Sequence, residues 1–330
     1  MTKVGFITTP LSSAHAVRGV GFYTKHLLGY LKPLAPEFRF EILEINSLGQ
    51  LDQLGQLEII HYPFFDLFRR TLRTFLDIKT VVTIHDVIPL EFPDHYPPGL
   101  KGWLNLRLQR LALSEVEGVI TDSYASVQSI HKHLNVPHEK IKLIYLAANP
   151  ILKKINKPAN KYKLPKKFVL YVGDINYNKN IPNLITACRI IDTPLVMIGK
   201  QAGEVVKLDL SHPELSHLRG LDWSTVTRLG FVPDADLVNI YNLATVYCQP
   251  SFAEGSALTI LEALACGTLV TCSDIPVFHE HAGEAATYFD PYNIDTMAKA
   301  LQNPHASFQT TKFTWEQTAR QTLSVYQELL

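Results

Sequence analysis

Short runs of β-branched and aromatic residues alternating with helical patterns constrain this chain more than any other feature. The strand-like runs fall at 4–8, 38–45, 57–62, 79–86, 118–123 and 140–145, then at 168–173, 194–199, 225–230, 245–249, 268–272 and 285–290. Between them lie apolar residues at helical spacing, as over 21–31 and in the stretches beginning at Ile181, Ala235 and Ile294. Such alternation means parallel sheets with crossover helices, so the expected class is α/β and doubly wound. Residues 149–167 are rich in Lys, Pro and Asn and lack apolar periodicity, which reads as a connection. At 330 residues the chain suits two cores better than one. The expected division is a domain at 1–150, a linker at 151–167 and a domain at 168–313. A terminal helix at 314–330 carries Trp315, Ala319, Leu323, Tyr326 and Leu330 on one face.

The formal charge is zero, but the halves differ. Residues 1–167 hold 22 Lys+Arg against 14 Asp+Glu, net +8, and residues 168–330 hold 9 against 17, net −8. Either the first half meets something anionic, or the halves complement each other across a cleft. Two segments of the first half, 64–76 and 100–111, mix Arg with large apolar residues in a helical pattern. They read as helices packed on a sheet or as helices that contact a membrane surface. The cysteines Cys188, Cys248, Cys266 and Cys272 show no Cys-x-x-Cys spacing and sit in or beside apolar runs, as buried thiols of a reducing, cytoplasmic compartment would. No secretory leader and no apolar span of about 18 residues is legible.

In doubly wound sheets ligands bind beyond the carboxyl ends of strands, so residues there come first. The stretch 250–270 runs strand, glycine-containing loop, apolar helix, strand. Seven residues separate Glu254 from Glu262, and a helical rise of about 1.5 Å per residue sets them roughly 12 Å apart along one axis. That is wider than the about 5–9.5 Å of a glycosidase pair, and it suits a long polyhydroxylated ligand better. Gly255, Ser256, Ala257 and Leu258 lie between them, at an expected helix start whose N–H groups favour a phosphate. Gly19 and Gly21 open a helix after the first strand. With Thr24 where a dinucleotide fingerprint has its third glycine, the pair alone reads as a plain loop. Gly199-Lys200 is no phosphate loop either, lacking the earlier glycine and a following Ser or Thr. His85 and Asp86 end the strand at 79–86, where a lone histidine is more often structural. Gly173 to Asn180 leave another strand end, with Lys179 as the cation. His131 with His133, and His279 with His281, lack the spacing of a His-Glu-x-x-His zinc site and read as solvated; no metal is expected.

These motifs together resemble the family 4 retaining glycosyltransferases of GT-B fold. The resemblance runs in order through RGVGFYTKHLL, TIHDVIPLEFP, YVGDINYNKNIPNLI, LGFVPDADLVNIYNLA, the two-glutamate stretch, CSDIPVFHEHAGEAATYFDP and FTWEQTARQTLSVYQEL. It implies two Rossmann-like domains with a deep inter-domain cleft, an acceptor-binding N-terminal domain, a donor-binding C-terminal domain, and a last helix crossing back onto the first. The activity implied is transfer of a hexosyl group, with retention, from a UDP- or GDP-sugar to a hydroxyl of a glycan or lipid-linked acceptor. The sugar donor is a co-substrate, and neither cofactor nor nucleic acid is implied. From the residues themselves, the cysteines suggest a cytoplasmic location, and the basic N-terminal half with its Arg-bearing apolar segments suggests peripheral contact with an anionic membrane. By resemblance His85, Glu254 and Lys179 are catalytic. Gly19 and Gly21 become a loop over the donor phosphates with Arg18 beside them, and Gly173 joins the phosphate site. Phe231 and Val232 hold the base, Gly255, Ser256, Ala257 and Leu258 the diphosphate, and Glu262 the ribose. Two departures stand out. Ser256-Ala257 replaces a more usual Phe-Gly, and Asp174 and Asn178 stand where Arg is frequent. They motivate an alternative, a catalytically weak or inactive binding relative of the same fold. An NAD-dependent oxidoreductase is disfavoured by the missing third glycine.

Overall fold

The structure is a computed structural model that describes residues 1–13, 19–47, 49, 57–73, 77–305 and 313–330. The chain forms two compact units. The first comprises Met1–Glu91, Pro98–Leu146 and Phe313–Leu330, the second Phe92–Pro97 and Ala147–Lys312.

In the first unit, β1 (Thr2–Ile7), β2 (Phe40–Ile45), β3 (Ile59–Tyr62), β4 (Lys79–Thr83), β5 (Gly118–Thr121) and β6 (Ile141–Leu143) form one parallel sheet. Its order is β2-β1-β3-β4-β5-β6. The strands β3 and β5 are buried along their whole length, as helices covering both faces of a parallel sheet require. The terminal helix Trp315–Glu328 belongs to this unit and starts at a capping box of Thr314 with Gln317. It buries Trp315, Ala319, Leu323 and Tyr326. Tyr326 reaches His61, with 2.5 Å between the hydroxyl and Nδ1, and His61 Nε2 lies 2.9 Å from Thr83 Oγ1. Burial lowers the His61 pKa to about 3, so this imidazole is neutral and links the terminal helix to the sheet.

In the second unit, β7 (Val169–Val172), β8 (Leu195–Ile198), β9 (Val226–Arg228), β10 (Val246–Gln249), β11 (Val270–Ser273) and β12 (Ala286–Phe289) form another parallel sheet. Its order is β12-β11-β10-β7-β8-β9. The chain winds outward from β7 through β8 to β9, then returns to the other side of β7 as β10. The strand order therefore reverses between β7 and β10, and beyond their carboxyl ends is where doubly wound sheets bind ligands. Beside these ends, glycines let the backbone come close. A Cβ on Gly199 would lie 2.1 Å from the Gly173 carbonyl oxygen, and one on Gly203 would lie 2.5 Å from the Gly230 Cα.

Several expectations need correction. Among the described residues 64–73 there is no helix. The Asp66 carboxylate instead accepts the backbone N–H groups of Phe68 and Arg69, and an Asx turn competes with helix at that point. The apolar helix after β10 begins at Leu258, so Glu254 lies in the loop and the two glutamates do not share a helix axis. Gly19 and Gly21 stand in the first turn of the helix Gly19–Leu34 rather than in a loop, and Arg18 lies outside the described residues. His281 is buried, with Nδ1 2.8 Å from the Val277 carbonyl, rather than solvated. The basic character of the first half resides mainly in 151–167, which carries seven lysines and belongs to the second unit. Residues 1–150 hold 15 Lys+Arg against 14 Asp+Glu. All four cysteines are buried free thiols, and burial raises the thiol pKa of each.

Candidate functional site

Lys179 and Glu254 meet at the reversal point of the second sheet. Lys179 ends the turn Tyr177–Lys179 that follows β7, and Glu254 sits in the loop after β10. The Lys179 ammonium lies 2.7 and 2.8 Å from the two Glu254 oxygens. Oε1 of Glu254 also accepts from Gln249 Nε2 at 2.8 Å and Ser251 Oγ at 2.6 Å. This carboxylate is held by three side chains, Lys179, Gln249 and Ser251. Two asparagines fix the loops that carry the pair. Asn178 donates to the Ala253 carbonyl at 2.9 Å and accepts from Tyr96 at 2.7 Å. Asn180, left-handed at φ 55°, donates to the carbonyls of Pro250 at 3.0 Å and Pro291 at 2.8 Å.

The helix Leu258–Ala265 points its amino end out of the same loop. Its N-cap, Ala257, offers no side-chain acceptor, so the first-turn N–H groups lack a side-chain cap. Ser256 Oγ is buried and makes no hydrogen bond. Backbone N–H groups without a side-chain cap at a helix start are the kind of donors that anions use. One turn into the helix, Glu262 is 8% exposed and accepts from the Tyr241 hydroxyl at 3.0 Å. Burial, opposed by that hydrogen bond and assisted by Asp234, raises its pKa from 4.5 to about 7. After β9, Gly230 turns at φ 68° and Phe231 stands 59% exposed, a ring open to stacking. Val232 is 4% exposed, so its side chain is core and only its backbone is available to a ligand.

In the first unit His85 follows β4. Its Nδ1 lies 2.5 Å from Asp122 Oδ2, one residue past the end of the neighbouring β5. Ser126 Oγ, in the helix capped by Ser123, donates to the His85 carbonyl at 3.0 Å, and the Tyr23 ring meets the imidazole edge-on at 4.7 Å. Desolvation opposes the imidazolium, but the charge and hydrogen bond of Asp122 outweigh it, and the His85 pKa is raised. Nε2 is buried and makes no hydrogen bond, while the nearby Pro63 carbonyl further favours the protonated ring. Asp86 braces the loop by accepting from the Ile88 N–H at 3.1 Å.

Sequence reasoning missed Asp122, Gln249, Ser251 and Tyr241. Asp122 had a readable signal, since Thr121-Asp122-Ser123 ends a strand as His85-Asp86 does. Among the described residues no group of three or more His, Cys, Asp or Glu is arranged to hold a metal, and no helix is long and apolar enough to cross a membrane.

Two parallel sheets, each with charged side chains beyond its strand ends, define a GT-B type architecture of paired Rossmann-like units. A family model for glycosyl transferases group 1 matches residues 153–303, and one for glycosyltransferase family 4 matches residues 7–150. O-antigen chain mannosyltransferase B of Escherichia coli is 28% identical over 302 residues, covering 82% of this chain and 74% of that protein. Serotype-specific mannosyltransferase WbdA of Escherichia coli is 29% identical over 279 residues, 76% of this chain but 34% of that longer protein. Among solved structures, sucrose-phosphate synthase of Thermosynechococcus elongatus superposes with a TM-score of 0.69 at 17% identity, covering 100% and 99% of the two chains. Anabaena HepE in complex with UDP-glucose superposes at 0.66, also at 17% identity, over 100% of both. The chain belongs to the group 1, family 4 glycosyltransferases.

Proposed function

We propose that this enzyme transfers a hexosyl group, with retention, from a nucleoside diphosphate sugar to a hydroxyl of a growing polysaccharide, and that the hexose is mannose. The relatives named as O-antigen and serotype-specific mannosyltransferases support the sugar and the polysaccharide. The observation that carries the donor chemistry is the Lys179–Glu254 pair at the sheet reversal, next to a helix start without a cap.

In this reading the diphosphate lies against the first-turn N–H groups of Leu258–Ala265 and draws Lys179 from Glu254. Both interactions strengthen as the sugar–oxygen bond breaks and negative charge gathers on the leaving phosphate, which is the requirement for lowering the barrier. Glu262 accepts hydrogen bonds from the ribose hydroxyls, and Phe231 stacks on the base. His85, whose protonated form the charge and hydrogen bond of Asp122 favour, acts on the donor sugar as the family resemblance implies. The departing phosphate takes the acceptor proton, and Glu254 faces the sugar once Lys179 has moved. Gly173 and Gly255 allow the close approach of backbone to phosphate.

A thermal-shift panel of GDP, UDP, GDP-mannose and UDP-glucose tests the donor, because a ligand that binds only the folded state raises the melting temperature. A shift with one nucleotide sugar, followed by transfer or slow donor hydrolysis, supports the proposal. No shift with any of them contradicts it. A second reading, a binding relative with little turnover, is favoured by Asn178. That side chain is a neutral amide, and its oxygen and nitrogen are engaged by Tyr96 and Ala253. Tight nucleotide-sugar binding without hydrolysis or transfer would select it.

A further inference from the structure

The helix Gly99–Glu115 buries Gly102, Leu106, Gln109, Ala112 and Leu113. Its opposite face is apolar as well: Leu100, Trp103, Leu104 and Leu111 are 86%, 45%, 54% and 62% exposed. At 3.6 residues per turn these four fall within an arc of about 100°, the width of a stripe that ordinarily faces a core. Arg107 stands inside the arc, its guanidinium carbon 3.8 Å from the centre of the Trp103 ring. Lys101 and Arg110 are exposed on its two flanks. The turn carrying the exposed Arg69 and Arg70 packs against the same helix, with Asn105 donating to the Phe68 carbonyl and Gln109 to that of Asp66, both at 2.9 Å. The helix holds no acidic residue before Glu115 at its end.

We infer that this face docks the enzyme on an anionic lipid surface. The four apolar side chains enter the boundary between headgroups and acyl chains, and Lys101, Arg107 and Arg110 pair with lipid phosphates. Charge decides among occupants. A second copy of the chain docked by two-fold symmetry would set these cations against themselves. An apolar groove on a protein would bury Arg107 without a partner, at a large desolvation cost. At a bilayer surface the arginine and lysine heads stay hydrated beside phosphate while their stems and the indole lie on hydrocarbon. This inference stands on the helix alone and does not need the donor chemistry proposed above.

The test is flotation of the full chain with vesicles of phosphatidylcholine alone, or mixed with phosphatidylglycerol, at low and high salt. Binding is expected to the anionic vesicles only and to weaken by about tenfold or more as salt screens the cations. Leu104→Ser combined with Leu111→Ser should lower partitioning by at least about tenfold, since each buried leucine side chain contributes that much. Arg107→Gln should lower it about fivefold. Brominated lipid should quench part of the tryptophan emission in the wild type and none of that part in Trp103→Phe. Equal melting temperatures of the variants show that the fold persists. Absence of binding to anionic vesicles at low salt overturns the inference, as does undiminished binding by the folded double leucine variant. A concentration-dependent dimer that the double variant abolishes would assign the face to a second copy and overturn it too.

Discussion

Each unit places a basic side chain against a carboxylate beyond the ends of its parallel strands, yet the two pairs are built differently. In His85–Asp122 the acid is 1% exposed, its Oδ1 has no hydrogen bond, and Oδ2 holds the imidazole by Nδ1. Asp122 therefore serves His85, fixing the orientation of the ring and favouring its protonated form. In Lys179–Glu254 the acid keeps hydrogen bonds from Gln249 and Ser251 when the lysine leaves. A carboxylate so supported can release its cation to a ligand without becoming an unpaired buried charge.

The comparison breaks most readily at Glu254 and Lys179. Glu254→Ala and Lys179→Ala should each lower kcat by about 10²–10³-fold, the range for losing one group aimed at developing charge. Initial rates at saturating donor check this, and a loss below about tenfold would remove the pair from the chemistry.

Asp122→Asn is expected to lower turnover about tenfold and to move the alkaline limb of the pH–rate profile to lower pH. Without the aspartate charge, burial is opposed only by Asp86 and the Pro63 carbonyl, and the His85 pKa falls. An unshifted limb would mean that Asp122 only packs. The raised His85 pKa also adds stability at pH below the unfolded value, and that contribution fades as pH rises through the folded value.

Glu262 sharpens the contrast because its hydrogen-bond partner is a tyrosine hydroxyl and not a cation. Its pKa of about 7 means that the ligand-free protein binds a proton there that the unfolded chain, titrating near 4.5, does not. Stability should therefore fall as pH rises through that window, and Glu262→Gln should flatten the dependence in melting curves. Ribose hydroxyls favour the ionised acid, so nucleotide binding should release a proton near pH 7, measurable by calorimetry in buffers of different ionisation enthalpy. No release would move the ribose away from Glu262. The smallest effect on chemistry is expected for Leu323→Ala, which leaves both pairs intact but should cost about 2–5 kcal/mol in denaturant unfolding.

Most of the described strands were legible because they are short and largely apolar, as strands of parallel sheets buried on both faces must be. Of the segment 64–76, the described residues 64–73 were misread because their spacing is helical while Asp66, two residues after Phe64, redirects the backbone through an Asx turn; 74–76 lie outside the described residues. Periodicity does not report that competition. The Glu254–Glu262 spacing pointed to the right loop and the wrong geometry, since the helix does not begin until Leu258. The partners of these acids were hidden for a different reason. Lys179 is 75 positions from Glu254 and Asp122 is 37 from His85, and only the sheet order brings them together.

The claim that Lys179 is lent by Glu254 to the diphosphate is tested most directly by calorimetric titration of GDP and UDP into the wild type and Glu254→Gln. Neutralising the competitor removes the charge that opposes transfer of the lysine to phosphate, so the bound nucleoside diphosphate should be held more tightly by the variant even as its turnover falls. Unchanged or weaker diphosphate affinity in a folded Glu254→Gln protein would contradict the exchange.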